Sequence, residues 1–110
     1  FNLINKSRIK LFKKSAYIII ISRGGIVNQA ALVNALQTNS IAGAAIDAFD
    51  QEPLPKDSPL WDLKNCLISP HISASSKDLN VERMEIFQEN LNRYIKKEPF
   101  LYVCDKKAGF

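Results

Sequence analysis

The sequence predicts an α/β fold with a small, mainly parallel sheet. Three short apolar segments, residues 16–22, 42–46 and 66–69, have the character of strands, and two segments of helical periodicity follow the first and the third of them. Alternation of this kind is typical of parallel sheets whose strands are joined by helices. The first strand is a continuous apolar run without polar alternation, which predicts that both of its faces are covered.

A short basic helix is predicted before the first strand, over residues 5–12. Five of the fifteen basic residues lie between positions 6 and 14, where no acid occurs, and the remaining ten are balanced by eleven acids. We interpret this cluster as the solvated face of the helix, and a basic nucleic-acid patch is the alternative. The net charge of +4 is therefore local, and we expect no nucleic-acid partner.

The next helix is predicted over residues 28–37. Asn28 is a good N-cap, and Asn39 is a fair C-terminal stop. The predicted inward stripe of the helix consists of Ala31, Leu32, Ala35 and Leu36. The strand that follows is built of small residues, so we expect a helix or a cofactor to lie close above it.

The third strand is preceded by a proline-rich segment and followed by the longest helix. Prolines at positions 53, 55 and 59 predict an extended surface loop over residues 50–61. Small polar residues at 73–76 suit a turn and an N-cap, and a helix is predicted from there to about residue 97, before Pro99. Met84, Phe87 and Leu91 fall on one face of that helix, and we expect them to be core.

Three polar residues stand just after the three predicted strands. They are Arg23, Glu52 and His71, which is the only histidine of the chain. Ligands of open α/β sheets bind at the carboxyl ends of the strands, and a guanidinium, a carboxylate and an imidazole suit acid–base catalysis. Taken singly, each has a structural alternative: a turn residue for His71, a surface acid for Glu52, and a partner of strand-end carbonyls for Arg23.

Five segments in series carry a resemblance to a known family. They are SRGGIV at 22–27, AGAAIDAF at 42–49, EPLP at 52–55, DSPLW at 57–61 and SPHI at 69–72. In this order they resemble the C-terminal part of the NAD-dependent D-2-hydroxyacid dehydrogenases. The resemblance implies the C-terminal half of a Rossmann-type doubly wound parallel sheet. Residues 1–76 would belong to the NAD(P)-binding domain, and residues 77–110 would form a crossover helix and a terminal segment of the substrate domain.

The resemblance also implies a reaction, the reversible transfer of a hydride between the nicotinamide ring and C2 of a small 2-oxo acid. His71 would protonate the new alkoxide on reduction and act as the base in the reverse direction. Glu52, hydrogen-bonded to the imidazole, would fix its tautomer and favour its protonated form. Arg23 would bind the carboxylate and carbonyl of the substrate with its planar fork.

NAD is the cofactor that the resemblance implies, with NADP as the alternative. Asp47 would accept a hydrogen bond from the nicotinamide carboxamide, although a turn or helix cap is its structural alternative. The nicotinamide pocket would also be lined by Ile21, Ser22, Arg23, His71, Ser73 and Ala74. Since the sequence has no Gly-x-Gly-x-x-Gly loop, we expect the pyrophosphate-binding part upstream of Phe1 and expect the chain to be inactive alone. We expect the full-length protein to be a homodimer.

Other features of the sequence limit the classes of protein to which the chain can belong. No apolar run is long enough to cross a bilayer, the first residues do not form a secretory signal, and Cys66 and Cys104 stand too far apart for a zinc motif. We therefore expect a cytoplasmic protein with buried free thiols, no metal and no membrane partner. Two alternatives to the enzyme remain: an NAD-binding regulatory protein, such as the corepressors of this fold, and a non-catalytic remnant.

Overall fold

The computed structural model describes residues 1–109. It contains the helices α1 (Lys6–Ile9), α2 (Gln29–Gln37) and α3 (Leu79–Lys96), a 3-10 helix (Pro59–Asp62), and the strands β1 (Tyr17–Ile20), β2 (Gly43–Ile46) and β3 (Cys66–Ile68). The strands form one sheet in the order β1-β2-β3, and both neighbouring pairs are parallel. The predicted α/β fold with a parallel sheet is confirmed.

One face of the sheet forms the core of the first compact unit, Phe1–Ala74. The register places Ile20, Ile46 and Ile68 side by side. Buried side chains of α2, among them Leu32 and Leu36, pack into the same apolar cluster. The inward stripe predicted for α2 is therefore confirmed, and burial of this stripe fixes the helix on the sheet.

The opposite face of the sheet is exposed. Tyr17, Ile19 and Leu67 alternate with the inward-facing residues of their strands and are 73%, 70% and 71% exposed. The expectation that β1 is covered on both faces is therefore wrong for the described chain. A strand of a parallel sheet is covered twice only where helices lie on both faces, and residues 1–74 supply a layer on one face.

Caps set the ends of α2. The Asn28 side chain accepts a hydrogen bond from the Ala31 amide at 2.8 Å, and Asn39 has a left-handed φ of 51° just after the helix. Both predictions for these residues are confirmed. The first helix is shorter than predicted: it begins after its cap Asn5 and ends at Ile9, its one buried residue.

The residues from Ser75 onward form a second compact unit built on α3. The helix begins after Asp78, so the N-cap predicted among residues 73–76 is wrong, and Lys97 ends it with a left-handed φ of 58°. Asn90 attaches the following tail to the helix. Its side chain accepts from the Leu101 amide at 2.7 Å and donates to the Leu101 carbonyl at 3.2 Å.

Within the described chain, α3 buries none of its side chains. Met84, Phe87 and Leu91 are exposed, so their assignment to a core is wrong for these residues. Helical periodicity identifies an apolar face, but burial also requires a second surface that packs on this face. Neither α3 nor any other helix of residues 1–109 is long and apolar enough to cross a membrane.

Both cysteines are free thiols. Cys66 is half-buried in β3, and this burial raises the pKa of its thiol above the usual value. Cys104 lies in the tail after α3 and is exposed, so the expectation of a buried thiol is wrong at this position. The apolar neighbours of Cys104 in the sequence predicted its burial, but Tyr102 and Val103 are themselves exposed.

Replacing Asn28 by alanine should lower the free energy of unfolding by about 1 kcal/mol, because the Ala31 amide loses its cap. Urea unfolding followed by circular dichroism checks this. The matched control is Asn34→Ala, at an exposed position inside α2, which should leave the stability unchanged or raise it slightly. Equal effects of the two substitutions would contradict the capping role.

Candidate active site

The carboxyl ends of β1, β2 and β3 lie at one edge of the sheet, and the structure brings Arg23, Glu52 and His71 together there. Nδ1 of His71 lies 2.7 Å from Oε2 of Glu52, and Nε2 of His71 lies 3.3 Å from Nη1 of Arg23. The sequence predicted that these side chains meet, because parallel strands end at the same edge. The imidazole occupies the middle of the set, with one charged partner at each ring nitrogen.

When the imidazole is neutral, these two contacts favour one tautomer of His71. Arginine can only donate hydrogen bonds, so Nε2 of the imidazole accepts from Arg23. The ring proton therefore lies on Nδ1, which donates it to Glu52. The imidazole thus presents an unprotonated nitrogen on the side of the guanidinium, while a carboxylate holds its other nitrogen.

Two hydrogen bonds fix Glu52. Its Oε2 atom accepts from His71, and its Oε1 atom accepts from the Phe49 amide at 2.9 Å. The hydrogen bond from His71, followed by that from Phe49, holds the pKa of the Glu52 carboxyl below its usual value. Glu52 is therefore an anion at neutral pH, and its half-exposed pair with His71 remains accessible from solvent.

A second carboxylate, Asp50, holds the turn that carries Arg23. Its Oδ1 atom accepts from the Gly25 amide at 2.7 Å. The same turn lies so close to the segment after β2 that a Cβ at Gly24 would stand 2.0 Å from the Phe49 carbonyl oxygen. Sequence reasoning missed Asp50, and the available signal was its position as an acid just beyond the end of β2.

Asp47 is buried at the end of β2, with 2% of its surface exposed. Its Oδ1 atom accepts from the Ser69 hydroxyl at 2.6 Å and from the Ile72 amide at 2.9 Å, and its Oδ2 atom accepts from the Ser73 amide at 2.8 Å. Hydrogen bonds from Ser69 and then Ser73 lower the pKa of the Asp47 carboxyl far below its usual range. Asp47 is therefore an anion that joins β2 to the segment around His71.

The remaining residues predicted to line a nicotinamide pocket also follow the strands. Ile21 and Ser22 come directly after β1, and Ser73 and Ala74 come shortly after β3. All four are exposed. Apart from Ile21 they are small, so the backbone at these positions is open to a ligand that approaches the carboxyl edge of the sheet.

Two cavities adjoin the imidazole. The smaller, of about 300 Å³, is lined by Arg23, Glu52 and His71 among others. The larger, of about 680 Å³, shares Glu52 and His71, but its other walls are mainly apolar and include Leu54 and Trp61. The lining of the smaller cavity combines the guanidinium of Arg23 with the carboxylates of Asp50 and Glu52. Within residues 1–109, no group of three or more His, Cys, Asp or Glu side chains is placed to hold a metal ion.

Comparison with known proteins decides the family. Residues 1–73 match the family model described as D-isomer specific 2-hydroxyacid dehydrogenase, NAD binding domain. The chain belongs to this family. A glyoxylate reductase from Thermofilum pendens is 41% identical over 98 residues, which are 89% of this chain and 29% of that protein. A hydroxypyruvate reductase from Blautia hydrogenotrophica is 36% identical over 97 residues, which are 88% of this chain and 30% of that protein.

Solved structures of the family share the fold. A D-isomer specific 2-hydroxyacid dehydrogenase from Xanthobacter autotrophicus, in complex with NADPH and MES, matches with a TM-score of 0.84 and 35% identity over 99% of this chain and 44% of that chain. A glyoxylate/hydroxypyruvate reductase from Sinorhizobium meliloti, in complex with NADP and sulfate, matches with a TM-score of 0.84 and 26% identity. This match covers 99% of this chain and 35% of that chain. The resemblance and the Rossmann-type fold are thus confirmed. This chain spans less than a third of its curated relatives from Thermofilum and Blautia.

The lowered pKa of Glu52 predicts how stability depends on pH. A carboxyl whose pKa is lower in the folded than in the unfolded chain stabilises the fold above its unfolded pKa, about 4.3 for glutamate. This stabilisation disappears as the pH falls through the folded pKa, because the unfolded chain then binds more protons. Between pH 6 and pH 3, the wild-type chain should therefore lose more stability than Glu52→Gln, as measured by urea unfolding.

The control for this titration is Asp57→Asn, which removes a carboxylate at an exposed position of the same loop. The free energy of unfolding of the Asp57→Asn chain should fall with acidification as steeply as that of the wild-type chain. If Glu52→Gln and the wild-type chain lost stability in parallel over the whole range, the hydrogen bonds to Glu52 would not be formed in solution.

Proposed function

We propose that this chain carries the catalytic half of an NAD(P)-dependent D-2-hydroxyacid dehydrogenase, which transfers a hydride between NAD(P)H and a small 2-oxo acid. One observation carries the proposal: His71 lies between a carboxylate at Nδ1 and a guanidinium at Nε2. Membership of the family supports it. Since the chain spans less than a third of its curated relatives, we expect turnover to need residues beyond these 110.

His71 is the proposed acid and base. On reduction, the protonated imidazole gives its Nε2 proton to the oxygen of the 2-oxo group as the hydride reaches C2, which leaves a 2-hydroxy acid. On oxidation, neutral Nε2 takes the hydroxyl proton back. Glu52 holds Nδ1–H, so Nε2 is the atom that exchanges the proton. Bound NAD(P)H would supply the hydride and bound NAD(P)⁺ would accept it.

Arg23 is the proposed anchor of the substrate. A guanidinium binds a carboxylate through two parallel hydrogen bonds, and Nη1 of Arg23 lies 3.3 Å from Nε2 of His71. A 2-oxo acid held by Arg23 through its carboxylate would therefore bring its carbonyl oxygen within reach of Nε2. The cavity of about 300 Å³ lined by these residues suits substrates of the size of glyoxylate or hydroxypyruvate.

The nicotinamide end of NAD(P) would lie beside this set. The proposed lining consists of Ile21, Ser22, Arg23, Asp47, His71, Ser73 and Ala74, which follow the strands at the edge where such sheets bind ligands. The sequence has no Gly-x-Gly-x-x-Gly loop, so we propose that residues outside it hold the pyrophosphate and the adenosine. The related structures from Xanthobacter and Sinorhizobium hold NADPH and NADP, so both NAD and NADP stay in the proposal.

Three further expectations stay predictions. The first is the boundary at residue 76 between the NAD(P)-binding domain and the crossover helix, and the division of the chain after Ala74 supports it. The second is the homodimer formed by the full-length protein, and the third is a cytoplasmic location. The first two follow from the family resemblance that implies the reaction, and the third stays the expectation drawn from the composition of the sequence.

An assay of the longest product of the gene that contains this sequence tests the proposal. Oxidation of NADH and of NADPH would be followed with glyoxylate, hydroxypyruvate and pyruvate. His71→Ala should lower kcat by about 100-fold or more, because the proton donor is lost. Arg23→Lys keeps the charge but loses the planar fork, so it should raise KM, and Arg23→Ala should raise it further.

Asp57→Asn is the control for these variants, because it removes a charge at an exposed position and should leave kcat and KM unchanged. Full turnover in His71→Ala would refute the role of the imidazole. Binding of NADH without turnover of any 2-oxo acid would favour the regulatory, corepressor-like alternative. Absence of both binding and turnover would favour a non-catalytic remnant.

A further inference from the structure

The backbone at His71 adopts a left-handed conformation, which is uncommon for residues other than glycine. Its φ is 53°, in the left-handed region, where non-glycine residues are uncommon because Cβ is crowded. Its amide donates to the Ser69 carbonyl oxygen at 3.0 Å, which makes a tight bend of the chain at this point. A conformation of this kind persists only where surrounding contacts hold it.

The contacts that hold this bend come from Asp47. The Ser69 hydroxyl lies before the bend, the amides of Ile72 and Ser73 lie after it, and all three donate to the one carboxylate. Asp47 is also the one charged or polar residue among residues 1–109 that is buried with the core. Hydrogen bonds to a buried carboxylate are stronger than those between neutral groups, so Asp47 fixes both sides of His71.

We propose that Asp47 is a positioning residue: its carboxylate clamps residues 69–73 in the bend that presents His71 to Glu52 and Arg23. The catalytic consequence of this clamp rests on the proposed function, but the clamp itself does not. The three donors require that both oxygens of Asp47 accept hydrogen bonds. In asparagine an NH2 group would replace one of these oxygens, and this group would face a donor instead of accepting from it. The lowered pKa of the Asp47 carboxyl keeps it an acceptor across the physiological pH range.

This role differs from the contact with the nicotinamide carboxamide that the family resemblance implies for Asp47. Both carboxylate oxygens already accept hydrogen bonds from the protein, and only 2% of the residue is exposed. A cofactor contact alone predicts that Asp47→Asn weakens NADH binding and leaves the tautomer of the imidazole unchanged. The clamp predicts that the same substitution changes the imidazole in the absence of any cofactor.

The test uses the 110-residue chain labelled with ¹⁵N-histidine. His71 is its only histidine, so the ring signals need no residue assignment, and Nδ1 and Nε2 are distinguished by their couplings to the two carbon-bound protons of the ring. In the neutral form of the ring, the ¹⁵N shifts of the wild-type chain should show the proton on Nδ1, as the contacts with Glu52 and Arg23 require. In Asp47→Asn that single pattern should be replaced by a mixture of both tautomers.

Two matched variants accompany this measurement. Asp62→Asn removes the same charge at an exposed position and should keep the Nδ1–H pattern. Ser69→Ala removes one donor and leaves the two amides on Asp47, so it should change the pattern less than Asp47→Asn. A folded Asp47→Asn chain, judged by the dispersion of its amide spectrum, that keeps the wild-type pattern would overturn the proposal.

If Asp47→Asn does not fold, amide hydrogen exchange in the wild-type chain tests the clamp instead. Ile72 and Ser73 are exposed residues of a loop, yet their amides donate to a buried carboxylate. We expect both amides to exchange at least about 10-fold more slowly than amides of an unstructured chain. Exchange at unstructured rates would show that the clamp does not form and would refute the proposal independently of any assay of hydride transfer.

Discussion

The parallel register of β1, β2 and β3 is the constraint on which the site depends. Ile20, Ile46 and Ile68 stand side by side at the ends of their strands. Ile20 and Ile46 are buried and Ile68 is partly buried in the same core, which fixes the register, since a slip by one residue would turn them away from the core. The polar residues that follow therefore start from one edge. Packing of α2 against the isoleucines thus determines where the acid–base residues lie, although α2 contributes none of them.

Carboxylates organise this edge where regular backbone pairing ends. Asp50 accepts from the Gly25 amide, Glu52 from the Phe49 amide, and Asp47 from the amides that follow His71. Loop amides have no strand partner, and a charged acceptor satisfies them with strong hydrogen bonds. The acids thus serve two purposes. Glu52 contacts the imidazole directly, whereas Asp50 holds the turn after Arg23 and Asp47 holds the segments before and after His71.

Apolar periodicity correctly located the faces of the elements but did not tell which faces are covered. The outer face of the sheet, with Tyr17 and Ile19, and the apolar face of α3, with Met84 and Phe87, are exposed in the described chain. Periodicity records only that one side of an element is apolar. Burial requires a second layer, and a sequence that spans less than a third of its curated relatives need not contain that layer.

The sequence by itself determined the features that depend on neighbouring residues or on strand order. These are the parallel α/β fold, the cap at Asn28, the left-handed Asn39, and the presence of Arg23, Glu52 and His71 at one edge of the sheet. Only the tertiary structure decided how these side chains are held. The contact of Asp50 with the Gly25 turn and the clamp of Asp47 on residues 69–73 join segments more than twenty residues apart. No local pattern encodes such contacts, because they arise only when packing has brought the loops together.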